Sequence, residues 1–236
     1  MDSNPGDVLR NVERYLMQQR DLFGNIVYTE EKKPASPAEV RFPDEEWVGA
    51  PSLQELDAGI CTCMKCPLGQ TRTNFVFGVG NAHADVMFIG EAPGADEDAQ
   101  GEPFVGKAGQ LLNKILAAVG LTREEVYICN ILKCRPPNNR DPLPSEMETC
   151  TPYLNKQIDL IRPKFIICLG RISAQWLLKT NASLTALRGK THEYCGAQLI
   201  VTYHPAALLR NPNWKRPAWD DMKMFRALCD KAKAEG

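Results

Sequence analysis

Short apolar runs alternate with helical segments from residue 85 almost to the end of the chain. Strands that alternate with helices form a parallel sheet with helices on both faces. The sequence therefore predicts an α/β fold in three layers, built on a central four-stranded parallel sheet. The predicted strands are 85–90, 126–132, 164–170 and 198–204, and the predicted helices are 106–120, a segment that follows the loop 134–144 and stops before Pro163, 171–179 and roughly 217–233.

The first 51 residues differ in character from the rest of the chain. Residues 7–23 have apolar side chains at helical spacing, which predicts an amphipathic helix. Residues 29–51 contain four prolines and several acidic side chains and are expected to be a linker. A capping-box pattern beginning at Ser52 predicts the start of a short helix. We therefore expect an N-terminal extension, residues 1–51, and one domain, residues 52–236.

Composition narrows the class of protein. The chain is 44% hydrophobic and 24% charged, as is typical of soluble globular proteins, and no apolar run is long enough to span a membrane. Its N-terminus is too polar for a signal peptide, so a cytoplasmic protein without a membrane partner is expected. Residues 1–60 carry a net charge of −6 and residues 61–236 a net charge of +5, which permits a polyanionic partner without requiring one.

Four of the nine cysteines are candidate metal ligands. Cys63 and Cys66 form a C-x2-C knuckle, and Cys134 and Cys150 form a looser second pair. Four thiolates from two distant segments can hold either zinc or a four-iron cluster. Cys61 is a competing ligand that spacing does not exclude. Of the others, Cys129 and Cys168 lie in apolar strands and are expected in the core, and Cys195 and Cys229 carry no signal.

In parallel sheets, ligands bind beyond the carboxyl ends of the strands. Two loops stand there. One is a glycine-rich, acidic loop over 90–106 that contains Phe104. The other, over 203–210, begins Tyr-His-Pro and contains two leucines, Leu208 and Leu209, that are expected to be exposed. The first loop is neither a Walker loop nor a GxGxxG motif. The position of His204 at a strand end favours a functional role over a structural one. Other polar candidates at this edge are Asn130 and Gly170–Arg171.

Three motifs, in this order and spacing, resemble the family 4 uracil-DNA glycosylases. They are GEAPG–EDxxGxPFVGxAG at 90–109, NILKCRPPNNR at 130–140 and HPAALLR at 204–210. The resemblance covers about residues 52–230. It implies a [4Fe–4S] cluster bound by Cys63, Cys66, Cys134 and Cys150. It also implies that the protein removes uracil from single- or double-stranded DNA by hydrolysing the glycosidic bond and leaves an abasic site.

The resemblance also implies roles for individual residues. Chemistry on a base requires its extrusion into a pocket that reads its Watson–Crick edge. Phe104 would stack on uracil, and the Asn130 amide would pair with O4 and N3–H, which cytosine cannot match. His204 would hydrogen-bond O2 and stabilise the anionic leaving group. The full set of implied substrate-binding residues is Gly90, Gly94, Phe104, Asn130, Leu208 and Arg210.

For DNA, the implied contacts are of two kinds. Leu208 would enter the space that the flipped base vacates, as apolar wedges do. Arg210, with the backbone N–H groups around Gly94 and Gly170, would hold phosphates.

The water nucleophile lacks an obvious base in the first motif. Where the best-known branch of the superfamily has a catalytic aspartate, this chain has Ala92, as family 4 proteins do. A dissociative reaction is therefore expected, with water positioned by backbone groups or by Glu91 or Glu97. No lysine is expected to form a Schiff base with the sugar, so strand cleavage is not expected.

Three alternatives stand beside this interpretation. A relative that traps uracil-DNA covalently uses a histidine in a segment that here is CRPPNNRDPLPSE, which has none. A non-catalytic DNA-binding module stabilised by a metal would release no uracil. A nucleotide-binding α/β enzyme would be expected to have the phosphate-loop lysine that is missing here.

One further pattern lies in the extension. Residues Gln19–Phe23 match the short Gln-x-Asp-Leu-Phe pattern with which bacterial repair proteins bind the sliding clamp. The competing interpretation is an amphipathic helix whose Leu22 and Phe23 pack on the domain.

Overall fold

The four apolar runs predicted as strands all form strands, and they make up the centre of a single sheet. The structure, a computed structural model, describes residues 45–235. The predicted helix over 7–23, the clamp-like pattern at Gln19–Phe23 and most of the predicted linker lie outside the described residues.

The sheet contains six strands in the order β1-β3-β2-β4-β6-β5. Adjacent pairs among the four central strands β3, β2, β4 and β6 run parallel, as predicted. The strands are β1 Val79–Gly80, β2 Val86–Gly90, β3 Tyr127–Asn130, β4 Phe165–Leu169, β5 Thr191–Tyr194 and β6 Ala197–Thr202.

The prediction of a four-stranded, purely parallel sheet is incomplete, because an antiparallel strand lies at each edge. β1 pairs with β3 over only two residues, and β5 pairs with β6 through a tight turn. That turn consists of Cys195 and Gly196, both with positive φ, as in the two-residue turns that suit antiparallel hairpins. β5 alternates exposed and half-buried side chains, so neither edge strand has the apolar run by which the other four are recognised.

Helices cover both faces of the sheet, as the three-layer prediction requires. Met87 and Ile89 of β2 pack in the core on one face, whereas Val86 and Phe88 pack in the core on the other. The helices are α1 Leu53–Ile60, α2 Leu68–Thr71, α3 Ala95–Gln100, α4 Lys107–Ala118, α5 Pro144–Ile161, α6 Arg171–Leu177, α7 Leu184–Leu187, α8 Pro205–Arg210 and α9 Lys215–Glu235.

The residues just before α1 pack on the domain. The Ser52 hydroxyl accepts a hydrogen bond from the Glu55 backbone N–H at 3.2 Å, so the predicted N-cap is confirmed. Trp47, within the segment predicted as linker, is buried and its ring packs edge-on against Tyr153 at 4.8 Å. Within the described part of the chain, no helix has both the length and the apolar character needed to cross a membrane.

Candidate active site

A cavity of about 700 Å³ opens at the carboxyl ends of the central strands. Its walls come from the loops after β2, β3, β4 and β6, which are the positions that the topology favours for a ligand. Nine residues predicted from the sequence line it together: Glu91, Gly94, Glu97, Phe104, Asn130, Gly170, Arg171, His204 and Arg210.

Asn130 forms part of the buried wall of this cavity. Asn130 is 2% exposed. Its side-chain oxygen, Oδ1, is buried and has no hydrogen-bond partner among the described residues. Leaving a buried acceptor unpaired costs about 1–3 kcal/mol, so the site retains an unfavourable group that a ligand with a suitable N–H would satisfy.

Gly90 makes room for this arrangement. It is the parallel neighbour of Asn130 in the sheet. A Cβ at Gly90 would lie 2.3 Å from Asn130 Oδ1 and 2.7 Å from Phe104 Cζ. Any side chain here would therefore displace both residues, so Gly90 shapes the cavity without contributing a functional group.

Phe104 is held rigidly in an unusual backbone conformation. Its φ is 55°, which is uncommon for a bulky residue and is associated with functional sites. Arg123 donates to the carbonyl oxygens of Phe104 and Pro103 at 3.2 and 2.8 Å. Gly109 lets α4 approach closely, since a Cβ there would lie 1.7 Å from the Phe104 carbonyl oxygen. The Phe104 ring lies 5.4 Å from the His204 ring, tilted by 31°.

His204 is the N-cap of α8, and the hydrogen bond of this cap determines which ring nitrogen carries the proton. Its Nδ1 accepts a hydrogen bond from the Ala206 backbone N–H at 3.2 Å. Burial, followed by the nearby Arg210 guanidinium, lowers the pKa of His204 to about 4. Near neutral pH the imidazole is therefore uncharged and carries its proton on Nε2, so it is a neutral hydrogen-bond donor.

The two candidate carboxylates have different surroundings. Glu97 accepts hydrogen bonds from the backbone N–H groups of Gly94, Val105 and Gly106 at 3.1 to 3.2 Å, so it ties the two ends of the first loop together. For Glu91, burial and, secondarily, the negative charge of Asp141 raise the pKa to about 7. Glu91 can therefore exchange a proton near neutral pH.

The four cysteines proposed as ligands come from two segments and meet beside the core. Cys134 and Cys150 are buried, and Cys63 and Cys66 pack against the same hydrophobic cluster. Burial raises the pKa of the Cys134 thiol and raises that of Cys150 to about 12, and repulsion from neighbouring cysteines of the set adds to both shifts.

Hydrogen-bond donors already surround these sulfurs. Arg72 donates to Cys134 Sγ at 3.2 Å and to the Cys63 carbonyl oxygen at 2.6 Å, and Tyr153 Oη lies 3.2 Å from Cys63 Sγ. The Cys61 thiol instead contacts the Ala58 carbonyl of its own helix, at 3.6 Å. Residues 45–235 contain no group of three or more histidine, cysteine or carboxylate side chains placed to hold a single metal ion. A set of four thiolates from two segments suits either zinc or a four-iron cluster.

Comparison with known proteins assigns the family. The sequence model of the Uracil DNA glycosylase superfamily matches residues 77–223. The chain belongs to the uracil-DNA glycosylase superfamily. It is 47% identical over 188 residues to the type-4 uracil-DNA glycosylase of Archaeoglobus fulgidus, a match that covers 76% of this chain and 94% of the relative. It is 48% identical over 179 residues to the type-4 enzyme of Saccharolobus solfataricus, covering 72% and 83%. The family assignment made from the three motifs is thereby confirmed.

The third motif of this superfamily member, HPAALLR at 204–210, forms a helix rather than the loop expected from the sequence. Leu208 was expected to be exposed, but it is only 2% exposed and lines a small apolar cavity between α4 and α9. Leu209, the next residue, is 44% exposed. Because α8 begins at Pro205, helical geometry turns these two leucines to different sides, and Leu209 is the one that faces solvent.

Two of the backbone N–H groups in the region expected to hold phosphates, those of Gly94 and Gly170, are already engaged. The Gly94 N–H donates to Glu97 Oε2 at 3.1 Å, and the Gly170 N–H donates to the Thr202 carbonyl at 2.9 Å. Arg210 is exposed at the end of α8 and remains the anion-binding candidate of this superfamily motif.

Lys133 is a residue whose importance was not recognised from the sequence. It is fully buried, and its Nζ donates to the Asn130 carbonyl at 2.9 Å and to Gln157 Oε1 at 2.6 Å. Lys133 thus fixes the backbone of Asn130, whose side chain lines the cavity. One feature of the sequence could have indicated this role: Lys133 directly follows the apolar run 126–132. A lysine buried there needs strong hydrogen-bond partners.

Proposed function

We propose that the protein is a monofunctional uracil-DNA glycosylase of base excision repair, which extrudes uracil from DNA and hydrolyses its glycosidic bond. The observation that carries this proposal is the unpaired Oδ1 of Asn130, buried in a cavity that also contains Phe104 and His204. An acceptor beside an amide donor is complementary to the N3–H and O4 of uracil. Membership of the superfamily supports the same reaction.

Base recognition depends on the rigid parts of the cavity. Asn130 Oδ1 would accept from N3–H of the flipped base, while the Asn130 amide N–H donates to O4. Cytosine presents an acceptor at N3 and a donor at the 4-position, so each of these hydrogen bonds would become a repulsive contact. Phe104 would stack on the base, and Gly90 has no side chain to occupy that space.

Bond cleavage is helped by a donor that is in place before the reaction. Negative charge develops on the departing uracil, chiefly on O2 and O4, as the glycosidic bond breaks. The neutral Nε2–H of His204, oriented by the Ala206 hydrogen bond, would donate to O2 and stabilise that charge. The sugar becomes oxocarbenium-like and is then captured by water.

Glu91 is the carboxylate that we propose to position the attacking water. It lines the cavity, and as an anion it would accept a proton from water and stabilise the cationic sugar. Because its pKa is about 7, the active carboxylate forms as pH rises through 7 and is lost below it. Glu97 would act indirectly by holding the loop that carries Glu91.

The Glu91 proposal predicts a pH dependence. The single-turnover rate of the wild type should rise through about pH 7 and then level off. Glu91→Gln should remove this inflection and lower the plateau roughly tenfold, less than a typical general base contributes, because water attacks late in a dissociative reaction. Glu102→Gln, an exposed change in the same loop, should keep the inflection. An unchanged inflection in Glu91→Gln would assign the titration to another group.

The DNA strand would be held outside the cavity. Arg210 is placed to contact a phosphate, and we propose Leu209, rather than the buried Leu208, as the apolar wedge. No lysine lines the cavity in the described part of the chain. The nearby Lys133 donates to two partners within the core, so it is not available as a Schiff-base nucleophile.

The test is direct measurement of uracil release. Purified, iron-replete protein incubated with a uracil-containing oligonucleotide, without added metal or nucleotide, should release free uracil and leave an intact strand with an abasic site. Strand scission should appear only after alkali treatment. Intact uracil-DNA after incubation would refute the proposal and favour a non-catalytic binding module.

We further propose that Cys63, Cys66, Cys134 and Cys150 hold a [4Fe–4S] cluster. Bound there, the cluster would join the segment before α2 to Cys134 in the loop after β3 and to Cys150 within α5. Arg72 would donate to the Cys134 sulfur and offset its negative charge. The role that we propose for the cluster is structural, and no step of the proposed reaction depends on the cluster.

Serine variants test the ligand set. Each of the four single Cys→Ser changes should lower the iron content per chain and the visible iron–sulfur absorption, because a lost thiolate leaves an open iron. Cys61→Ser is the matched control and should retain both, since the Cys61 thiol contacts its own helix. Full iron in Cys134→Ser together with loss in Cys61→Ser would overturn the assignment.

A further inference from the structure

Three side chains form a layered stack at the rim of the cavity. The Trp214 ring lies on the Tyr203 ring with centroids 5.0 Å apart and planes inclined by 18°. The Arg188 guanidinium lies 4.3 Å from the Tyr203 ring centroid. Arg188 is itself fixed, since its Nε donates to buried Asp221 at 2.7 Å and its Nη2 donates to the Pro217 carbonyl. The Tyr203 ring on which the indole lies is therefore itself in contact with a guanidinium that has two hydrogen-bond partners.

The uppermost ring of this stack remains accessible. Trp214 is 39% exposed, although it lines the same cavity as Asn130 and His204. Tyr203 immediately precedes His204, so the support of the indole and the leaving-group donor are adjacent in the chain. A large apolar ring kept in water beside an active site is a candidate contact surface rather than part of the core.

The surrounding segment is basic. Residues 204–219 contain Arg210, Lys215 and Arg216 and no carboxylate, and all three cations are exposed. An aromatic platform beside positive charges is the combination with which proteins bind single-stranded nucleic acid, because bases stack on the ring while the cations attract the backbone.

We propose that Trp214 stacks on the base of the nucleotide adjacent to the flipped uracil. The proposal rests on uracil excision as the function. When uracil enters the cavity, its neighbour in the strand loses a stacking partner. Trp214 stands at the cavity rim and offers a replacement ring face. Stacking of this kind tolerates any base, so it would raise affinity for the strand without imposing a sequence preference.

The first experiment compares three variants on a short single-stranded oligonucleotide with one uracil. Trp214→Ala should raise KM roughly tenfold, with a smaller change in kcat, as expected for loss of one base–aromatic stack. Trp214→Phe retains a ring and should recover most of the affinity. Trp219→Ala is the matched control: Trp219 is 41% exposed on the neighbouring α9 but does not line the large cavity.

The second experiment removes the base instead of the tryptophan. Substrates carry a tetrahydrofuran abasic analogue directly 5′ or directly 3′ of the uracil. In the wild type, one of these two substrates should lose about as much kcat/KM as Trp214→Ala does on the normal substrate. In Trp214→Ala, that same substrate should show little further loss, because the two changes remove the same contact.

The outcomes separate this proposal from the function on which it rests. Absence of uracil release by the wild type would refute the proposed function. Normal release combined with equal KM values for Trp214→Ala and Trp219→Ala would refute only the stacking role. The stacking role would also be refuted if the loss from Trp214→Ala and the loss from the abasic analogue added fully for both substrates. This holds even if Trp214→Ala is impaired on the normal substrate. Matching thermal unfolding of Trp214→Phe and wild type would exclude a folding defect as the cause of any difference between them.

Discussion

His204→Ala is expected to lower the single-turnover rate of uracil release about 100-fold or more, as is typical when one preorganised hydrogen-bond donor is lost. The structure explains why this donor is preorganised. The Ala206 N–H occupies Nδ1, and burial lowers the pKa of His204 to about 4, so the proton stays on Nε2 as a neutral donor throughout the useful pH range. A neutral imidazole also avoids the cost of burying a cation beside Arg210.

Two comparisons isolate this effect. Binding to uracil-DNA should change little in His204→Ala, because the interaction strengthens mainly as charge develops on the base. His83→Ala alters an exposed histidine outside the cavity and should match the wild type. A variant that binds weakly but retains the wild-type single-turnover rate would assign His204 to binding instead. In Glu91→Gln, which lacks the Glu91 titration, the rate should show no inflection between pH 5 and 6.5, where an ordinary histidine would titrate.

The sequence predicted the centre of the sheet well because its strands are buried on both faces. β2 and β4 are wholly buried, so their apolar runs are continuous and easily recognised. The edge strands could not be found in the same way. β1 has two residues, and β5 alternates exposed and half-buried side chains, so their positions depend on pairing with β3 and β6.

The position of each motif was predictable, whereas the direction of individual side chains was not. HPAALLR was expected to be a loop with two exposed leucines. The His204 cap and Pro205 at the first helical position instead start a helix, which buries Leu208 and exposes Leu209. A one-residue difference in a helix changes the facing direction by about 100°, and a short pattern does not reveal it.

The surroundings of a side chain in the structure also separate residues that are equivalent candidates in the sequence. Glu91 and Glu97 are equally plausible on spacing alone, and only the three backbone N–H groups around Glu97 assign it to loop structure. Trp214 gave no sequence signal, because its supporting partners Tyr203 and Arg188 are 11 and 26 residues away in the chain. Such tertiary contacts cannot be inferred from local periodicity.

Asn130→Asp is expected to lower uracil excision about 100-fold or more and to make cytosine excision detectable. A site built to hydrogen-bond a specific substrate loses large factors when its polar pattern is changed, because buried groups are then left unpaired or repelled. An aspartate would still accept from N3–H of uracil but would oppose O4 with a second oxygen. The same oxygen could accept from the amino group of cytosine, so discrimination between the two bases should fall.

Asn139→Asp provides the matched control for this substitution. Asn139 lines the same cavity, but its Oδ1 already accepts from Arg135 Nε at 2.8 Å, an interaction that aspartate retains. Its uracil activity and base preference should therefore stay near those of the wild type. Asn130→Leu completes the series: it should lose uracil excision without gaining cytosine excision, because it has no polar group for either base. Unchanged uracil excision in Asn130→Asp would mean that the base is read elsewhere, and that the unpaired Oδ1 is a local cost of the fold rather than the recognition element.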